Sequence, residues 1–221
     1  MKRSLLVAAA LTTLLVTGGF AGPPPQNWDG LVQVPSKRLK LVYLQPGADF
    51  RTYRSVMLDP TEVAFHKDWR RNYHFSVRDP SGRVSERDIE RAISEGVTQA
   101  SDIFAKAWQK GGYTLASAPG PDVLRVKTAI LNINVSAPDV RASPSRTAAD
   151  TAGDAVLVLE VRDSVSNALL GRAVDHRIAG DNTIGWRSSA TNRGDFRDLV
   201  ENWAKMSVQG LAELRRSSPA R

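Results

Sequence analysis

Apolar residues recur every three or four positions through residues 85–111, a spacing that predicts one long amphipathic helix. Ser85 followed by Asp88 has the sequence pattern of a capping box at the start of this helix. Lys110 followed by Gly111 is typical of a helix end. The helix therefore packs one face on a sheet, and its apolar stripe is Ile89, Ile93, Val97, Ala100, Phe104 and Ala107 or Trp108.

The same helical spacing continues near the end of the chain, from about Phe196 to Leu214. Arg215 and Arg216 directly follow, where cations interact favourably with the C-terminal end of the helix dipole. This second stripe also indicates core packing and consists of Phe196, Leu199, Val200, Trp203, Met206, Gly210, Leu211 and Leu214.

Alternation of apolar and polar positions predicts strands elsewhere, since side chains of a strand point to opposite faces in turn. These strands are expected at residues 39–44, 52–59, 123–136, 155–163 and 168–178. Within residues 123–136 the buried phase changes, so we expect a β-bulge or sharp twist near Ala129 to Leu131. Residues 61–75 show no clean period, and we expect a short strand followed by irregular structure there.

The strands at 155–163 and 168–178 flank a short turn and predict a hairpin. If Asn167 takes the left-handed position of a type I turn with a G1 bulge, Ser164 pairs with Ala168. Counting outward then places Arg162 opposite Leu170, Val161 opposite Gly171 and Glu160 opposite Arg172.

Three charged residues of this hairpin, Glu160, Arg162 and Asp163, are close enough in sequence to suggest a catalytic pair or a metal site. The strand period accounts for them without such a role. A Glu160–Arg172 cross-strand pair of opposite sign stabilises by about 0.2–1 kcal/mol. Asp163 is expected to bond backbone NH groups at the turn.

The predicted order of elements is two or three strands, a helix, a short strand, a long strand, a hairpin and a final helix. Helices that are too few to alternate with strands argue against a parallel α/β fold. We therefore predict an α+β fold: a single mostly antiparallel sheet with two long helices packed on one face.

One such domain is predicted over residues 39–216, followed by a disordered tail at 217–221. Residues 22–38 are rich in Pro and Gly and predict a lead-in or tether. Trp28 and Leu31 are the residues that would pin part of this segment to the domain.

The first 21 residues have the order of a secretory signal peptide. Lys2 and Arg3 precede an apolar run of 12 residues from Leu5 to Val16, shorter than the ~20 that a membrane-spanning helix needs. Cleavage is expected after Ala21, which makes Gly22 the first mature residue. The pattern predicts a periplasmic or secreted protein whose mature chain has no transmembrane segment.

The amino-acid composition excludes several kinds of chemical site. The chain has no cysteine, so it can form no disulfide, thiolate metal site or Cys nucleophile, and it has no residue for lipid attachment at the cleavage point. Its net charge of +7 is scattered rather than concentrated. Such scatter suits weak attraction to anionic envelope polymers, whereas a nucleic-acid interface would need a concentrated basic patch.

The stretch from Glu160 to Ser164, followed by Ser166 and Asn167, resembles the E-x-x-D-S-x-T-G strand and turn of the DUF3313 family. Asn167 stands where Gly is usual, and a left-handed turn tolerates Asn. Further similar pieces are Trp28, Tyr43 and Pro46, residues 56–63, and Phe196 to Trp203-Ala204. The resemblance implies an exported α+β domain and supplies no catalytic residue. Many members carry a lipoprotein signal, and this chain lacks the Cys that one requires.

Candidate chemistry outside the hairpin is sparse. His66, His74 and His176 are the only histidines, and His66 with Asp68 offers two metal ligands where a structural site needs three or four. Residue types for a Ser-His-Asp hydrolase exist, but no G-x-S-x-G elbow is present. The sequence therefore predicts no catalytic residue, no metal and no cofactor.

Two loops remain as candidate interaction surfaces. Trp186 beside Arg187 either forms a contact surface for a sugar, peptide or protein, or folds back as a lid on the core. Residues 137–153, which include Arg141 and Arg146, are small and polar and are expected to be mobile or functional. We predict a non-catalytic exported envelope protein that binds a partner protein or an anionic wall polymer. The alternative is a small periplasmic hydrolase, and the sequence does not indicate the oligomeric state.

Overall fold

A computed structural model describes residues 24–76, 83–136, 147–149, 151–180, 185–187 and 189–218. The helices in these ranges are α1 (Trp69–Ser76), α2 (Glu86–Lys110) and α3 (Ser189–Ser217). The strands are β1 (Asn27–Trp28), β2 (Leu31–Val34), β3 (Leu41–Leu44), β4 (Ser55–Leu58), β5 (Glu62–Phe65), β6 (Thr114–Leu115), β7 (Val123–Val135), β8 (Thr147–Ala149), β9 (Gly153–Asp163), β10 (Leu169–Ala179) and β11 (Gly185–Arg187).

Nine of these strands form one sheet in the order β1-β2-β3-β10-β9-β7-β4-β6, with β5 also paired to β7. The pairs from β1 to β7 along this order are antiparallel, whereas β4 and β5 run parallel to β7. Parallel neighbours need a long crossover, and the chain between β5 and β7 supplies it with α1 and α2. The predicted α+β class with a mostly antiparallel sheet is confirmed.

Both long helices pack on the same face of the sheet and contact each other, as predicted. Trp108 from α2 and Trp203 from α3 are fully buried there, in the same core as Leu157 of β9. The predicted capping box is present: the Ser85 hydroxyl accepts from the Asp88 backbone NH at 3.2 Å, and the Ser85 NH donates to the Asp88 carboxylate at 3.0 Å.

The bulge in β7 lies slightly beyond its predicted position. The register with β9 shifts between Leu131 and Asn134, and Asn132 has a φ of 53°. Asn adopts this left-handed conformation more readily than other non-glycine residues because its short polar side chain can bond locally. The extra residue is therefore accommodated after Leu131 rather than at Ala129 to Leu131.

The expectation of irregular structure after β5 is wrong, because α1 forms there. Trp69 and Tyr73, four residues apart on α1, stack with ring centroids 5.7 Å apart, and Phe65 stacks on Trp69 at 4.7 Å. The Trp69 indole NH also donates to the Val135 carbonyl at 3.1 Å. A single turn-to-turn aromatic repeat is too short to register as a helical period.

Within the predicted lead-in or tether at 22–38, β1 and β2 extend the sheet from residue 27 to residue 34. Leu31 is almost fully buried, so this segment is part of the fold. The predicted disordered tail begins too early, since α3 runs to Ser217 and the Ser218 hydroxyl accepts from the Phe50 NH at 3.1 Å.

The predicted signal peptide, with its cleavage point between Ala21 and Gly22, lies outside the described residues, as do residues 219–221. No helix in the described ranges has both the length and the apolar character that crossing a membrane requires.

Candidate functional site

The β9–β10 hairpin holds the predicted Glu160–Arg172 pair, and the structure places the two residues directly opposite each other. Two Arg172 nitrogens donate to Glu160 Oε1 at 2.6 and 2.9 Å, and a third donates to Asp29 at 2.8 Å. The guanidinium carbon lies 4.2 Å from the centroid of the Trp28 ring. Only 4% of the Arg172 side chain is exposed, so the pair is buried rather than a surface ion pair.

The residue pair that closes the turn differs from the predicted one. Asp163, not Ser164, closes the turn with Ala168, and its NH donates to the Ala168 carbonyl at 3.0 Å. Arg162 therefore lies opposite Leu169, and the predicted Ser164–Ala168 and Arg162–Leu170 pairings are wrong. A register shift between Leu169 and Gly171 restores the predicted pairs of Val161 with Gly171 and of Glu160 with Arg172.

The turn residues bond as predicted. Asn167 is left-handed with a φ of 58°. One oxygen of Asp163 accepts from the NH groups of Val165 and Ser166 at 3.2 and 2.7 Å, and the other accepts from the Tyr53 hydroxyl at 3.0 Å. The Ser166 backbone bond, the Ser166 hydroxyl and Tyr53 lower the pKa of Asp163. Burial, followed by Asp163, raises the pKa of Tyr53 to about 12.

Glu160 is shared between two arginines, since Arg162 also donates to it at 2.9 Å. Burial by itself would raise the pKa of the Glu160 carboxyl, but the bonds from Arg172 and Arg162 outweigh it and hold that pKa below its ordinary value. A carboxylate held ionised between two cations is a poor general acid or base near neutral pH. These contacts give the hairpin charges a structural role.

Each histidine takes part in a hydrogen bond within the fold. His74 accepts from the Val84 NH at 3.0 Å, and His66 accepts from the Asp68 NH at 3.3 Å. His176 lies 3.0 Å from an oxygen of Asp154. Within the described ranges, no three His, Asp or Glu residues converge as a metal site would need.

The two loops proposed as interaction surfaces meet in the structure. β11, which contains Trp186 and Arg187, pairs antiparallel with β8 in a separate two-stranded sheet, here called the ribbon. Trp186 lies opposite Ala148, and Arg187 lies opposite Thr147. Arg141 and Arg146 fall outside the described residues, although Arg146 directly precedes β8 in the chain.

The end of the loop at 137–153 is bound to the main sheet. The buried Ala152 accepts from the Ser136 NH at 2.9 Å and donates to the Ala179 carbonyl at 2.8 Å. Gly153 has a φ of 140°, and a Cβ there would lie 1.8 Å from the Asn134 carbonyl oxygen. The segment expected to be mobile or functional therefore includes a strand, and its end is hydrogen-bonded to the main sheet.

A cavity of about 380 Å³ lies between the second half of α3 and the sheet. Residues 34–39, which run from the end of β2 towards the start of β3, line one wall, and Trp108 of α2 also lines the cavity. The walls are otherwise mostly apolar and include Val42, Leu159, Ala173, Met206, Leu211 and Leu214.

Sequence reasoning missed this cavity, because its walls come from segments far apart in the chain. Two local signals were available. Gly210 interrupts the apolar stripe of α3, and a Cβ built at that position meets nothing within 4 Å. Lys37 and Arg38 form one of the few basic doublets and line the cavity.

Several solved structures resemble this chain distantly. The PelC dodecamer from Paraburkholderia phytofirmans is 12% identical over 77% of this chain and 95% of that one, with a TM-score of 0.37. A Xanthomonas campestris protein of the DUF330 family is 9% identical over 79% and 93%, with a TM-score of 0.42. A minor lipoprotein from Acinetobacter baumannii is 8% identical over 74% and 95%, with a TM-score of 0.36. At these values the likeness carries no argument about function.

No curated protein matches the chain by sequence. A family model described as a protein of unknown function, DUF3313, matches residues 19–207. The match spans most of the chain and includes the hairpin, all of α2 and the part of α3 up to residue 207. The chain therefore belongs to the DUF3313 family, as the strand and turn around Glu160 predicted.

Proposed function

We propose that this protein is an exported, non-catalytic binding protein of the cell envelope, whose partner is another envelope protein or an anionic wall polymer. The observation that carries the proposal is the ribbon. Two loops that were separate candidates for interaction, one with Trp186 and Arg187 and one with Arg146 at its edge, are brought together by β8 and β11.

The ribbon has the features of a recognition element. It is a sheet of two short strands, so each strand has one edge that no described strand pairs. An extended segment of a partner can add to such an edge through main-chain hydrogen bonds. Trp and Arg are also the residue types most enriched at the energetic centres of interfaces.

The non-catalytic part of the proposal rests on how the polar groups are used. The histidines bond to Val84, Asp68 and Asp154. Ser164 and Ser207, two buried serines, donate to the carbonyls of Gly120 and Trp203. Hydroxyls held by backbone carbonyls lack the neighbouring base that activates a nucleophile.

Export is supported by the N-terminal sequence and is tested by mass spectrometry of the protein from cells. Gly22 should be the first residue, without lipid, because the apolar run is short and the chain has no Cys. A form that retains Lys2 and Arg3 in the inner membrane would show that the run is an anchor.

Partner binding is tested by placing a photo-crosslinking residue at position 186 and, as a matched control, at the exposed Phe75, which lies outside the ribbon. Position 186 should give a discrete adduct with one envelope protein, or co-sedimentation with purified wall polymer, that position 75 does not give. The variant Arg187→Ala, which keeps Trp186, should weaken co-sedimentation of the protein with the polymer by about tenfold. Equal adduct patterns at both positions would refute the role of the ribbon.

One observation favours the alternative, a small hydrolase. His176 with Asp154 at 3.0 Å is the base and orienting carboxylate of a hydrolytic site in outline. Ester and amide substrates of the envelope provide the test. Hydrolysis by the purified protein that His176→Ala abolishes would establish this alternative and exclude the non-catalytic proposal.

A further inference from the structure

The cavity beside α3 has the size of a small-molecule site. Its volume of about 380 Å³ lies within the ~300–1,000 Å³ typical of ligand pockets. It also exceeds twice the ~150 Å³ of an engineered apolar cavity that binds benzene. The space is open to solvent on one side, and a bound hydrocarbon would remove its apolar lining from water.

The helix leaves this space open at one residue. Gly210 lines the cavity, and a side chain at that position would meet no atom within 4 Å of its Cβ. Glycine inside a helix costs about 1 kcal/mol relative to alanine, and close packing does not require it here. Gly210 in the apolar stripe of α3 therefore keeps the cavity wide.

Two buried donors lie on the cavity wall. Trp108 is fully buried, and its indole NH has no hydrogen-bond partner among the described residues. The Nε of Arg38 is likewise buried without one. Buried polar groups are nearly always hydrogen-bonded, so an acceptor oxygen of a ligand at Arg38 would satisfy one donor that the protein leaves open.

The cations at the rim outnumber the carboxylates. Arg38 donates to Gln209 and Glu213, each at 2.6 Å. Arg38, and with it Arg216 and Lys37, lowers the pKa of the Glu213 carboxyl, and Lys37 and Arg38 line the cavity together with Glu213. The surplus positive charge selects for an anionic group next to an apolar interior.

We propose that this cavity binds an anionic amphiphile with a single hydrocarbon chain. The chain lies between α3 and the sheet, and the carboxylate or phosphate group lies at Lys37 and Arg38. This site is separate from the ribbon, so a negative result for one proposal does not affect the other. A fatty acid and a lysophospholipid share this chemistry, and the experiment distinguishes them.

Isothermal titration of the purified protein, below micellar concentrations, compares dodecanoate, lysophosphatidylglycerol, dodecyl maltoside and dodecyltrimethylammonium. Either or both anionic ligands should bind about tenfold or more tightly than the neutral and cationic ones. Binding of dodecanoate alone would identify a fatty-acid site, and binding of the lysolipid alone would identify a phospholipid site. Equal affinity for all four, or no binding below micellar concentration, would overturn the proposal.

Variants locate the site. Gly210→Leu fills the cavity and should reduce affinity at least about tenfold, while Glu213→Gln removes the competing carboxylate and should strengthen binding. Lys37→Glu should weaken it, whereas Lys106→Glu makes the same charge change on a groove that the cavity does not include. Should Gly210→Leu fail to fold, the wild-type protein still gives a test. The Trp108 indole NH resonance should shift on titration, and an unmoved resonance would contradict the proposal.

Discussion

Strand β10 has two buried charged side chains on its opposite faces, and they are stabilised by different parts of the chain. Arg172 bonds to Glu160 on the neighbouring strand and lies against Trp28. Asp175, three positions later and therefore on the other face, accepts from the Trp203 indole NH at 2.8 Å and from the Lys40 backbone NH at 2.9 Å.

The comparison shows how each face supplies what a buried charge needs. On the helix side, the indole NH of Trp203 in α3 donates to the Asp175 carboxylate. The Arg177 Nε donates to the same carboxylate at 2.6 Å. On the other side, the start of the chain covers Arg172, with Trp28 on its face and Asp29 at its edge. A buried charge is tolerated only when it is paired and hydrogen-bonded, and both faces meet that condition.

The largest effect is expected at Asp175. Asp175→Ala leaves the Trp203 indole NH and the Lys40 NH without their acceptor and should lower the free energy of unfolding by about 3–4 kcal/mol. Asp175→Asn is the matched control, because it keeps an acceptor oxygen and should cost less than half as much. Urea unfolding measures both, and equal losses would show that charge rather than hydrogen bonding matters there.

A smaller loss is expected at Arg172. Arg172→Met removes the partner of Glu160, but Arg162 remains bonded to that carboxylate. The free energy of unfolding should therefore fall by about 2–3 kcal/mol. Arg172→Lys keeps the charge and loses the bidentate geometry, so it should recover only part. Full recovery by lysine would contradict the argument. Because the Arg172–Glu160 pair is buried, the coupling free energy between the two residues in a double-mutant cycle should exceed the ~1 kcal/mol expected of an exposed cross-strand pair.

Removing the aromatic cover tests the same face more gently. Trp28→Leu eliminates the ring that lies against the Arg172 guanidinium and packs edge-to-face with Tyr43, and we expect the free energy of unfolding to fall by about 1–2 kcal/mol. Trp28→Phe retains a ring and should lose less. If thermal unfolding gives the same result for both variants, the cation–π contact contributes nothing measurable.

The smallest effect concerns pH. The pKa of Glu160 in the folded state lies below its ordinary value of 4.5, so the unfolded chain binds more protons in this range. The stability that Glu160 contributes is present above about pH 4.5 and is lost as the pH falls through the lowered pKa. Urea midpoints between about pH 2 and 6 should decrease in acid, and Glu160→Gln should show a shallower decrease. Parallel curves would refute this assignment.

The two charges also show what a sequence can predict. The Glu160–Arg172 pair follows from the period of a strand and a short turn, both of which are local. The predicted pairing of Arg162 with Leu170 was wrong by one residue, but the register shift between Leu169 and Gly171 compensates for it. The Glu160–Arg172 pair was therefore predicted correctly although the turn was not. Asp175 depends on Trp203 and Lys40, which are 28 and 135 positions away, and no local period encodes such partners.

The candidate sites show the same contrast between local sequence patterns and contacts that are distant in sequence. Trp186 and Arg187 were predicted from residue type, but their pairing with β8 required the structure. The cavity escaped prediction altogether, because a space between elements is the absence of a contact and leaves almost no pattern in the sequence. Gly210, an interruption of an apolar stripe, was its one trace within α3.

The position of β3 in the sheet has a consequence for how the chain acquires its fold. Tyr43 of β3 pairs with Arg172 of β10, so the sheet closes across 172 − 43 = 129 positions of sequence. Contacts of such long range form slowly, because loop-closure entropy is lost before they stabilise the chain. Slow closure prolongs the time that a newly made chain spends extended. For an exported protein, as proposed above, that interval is useful, because a sheet that closes late does not obstruct passage of the chain through a narrow pore.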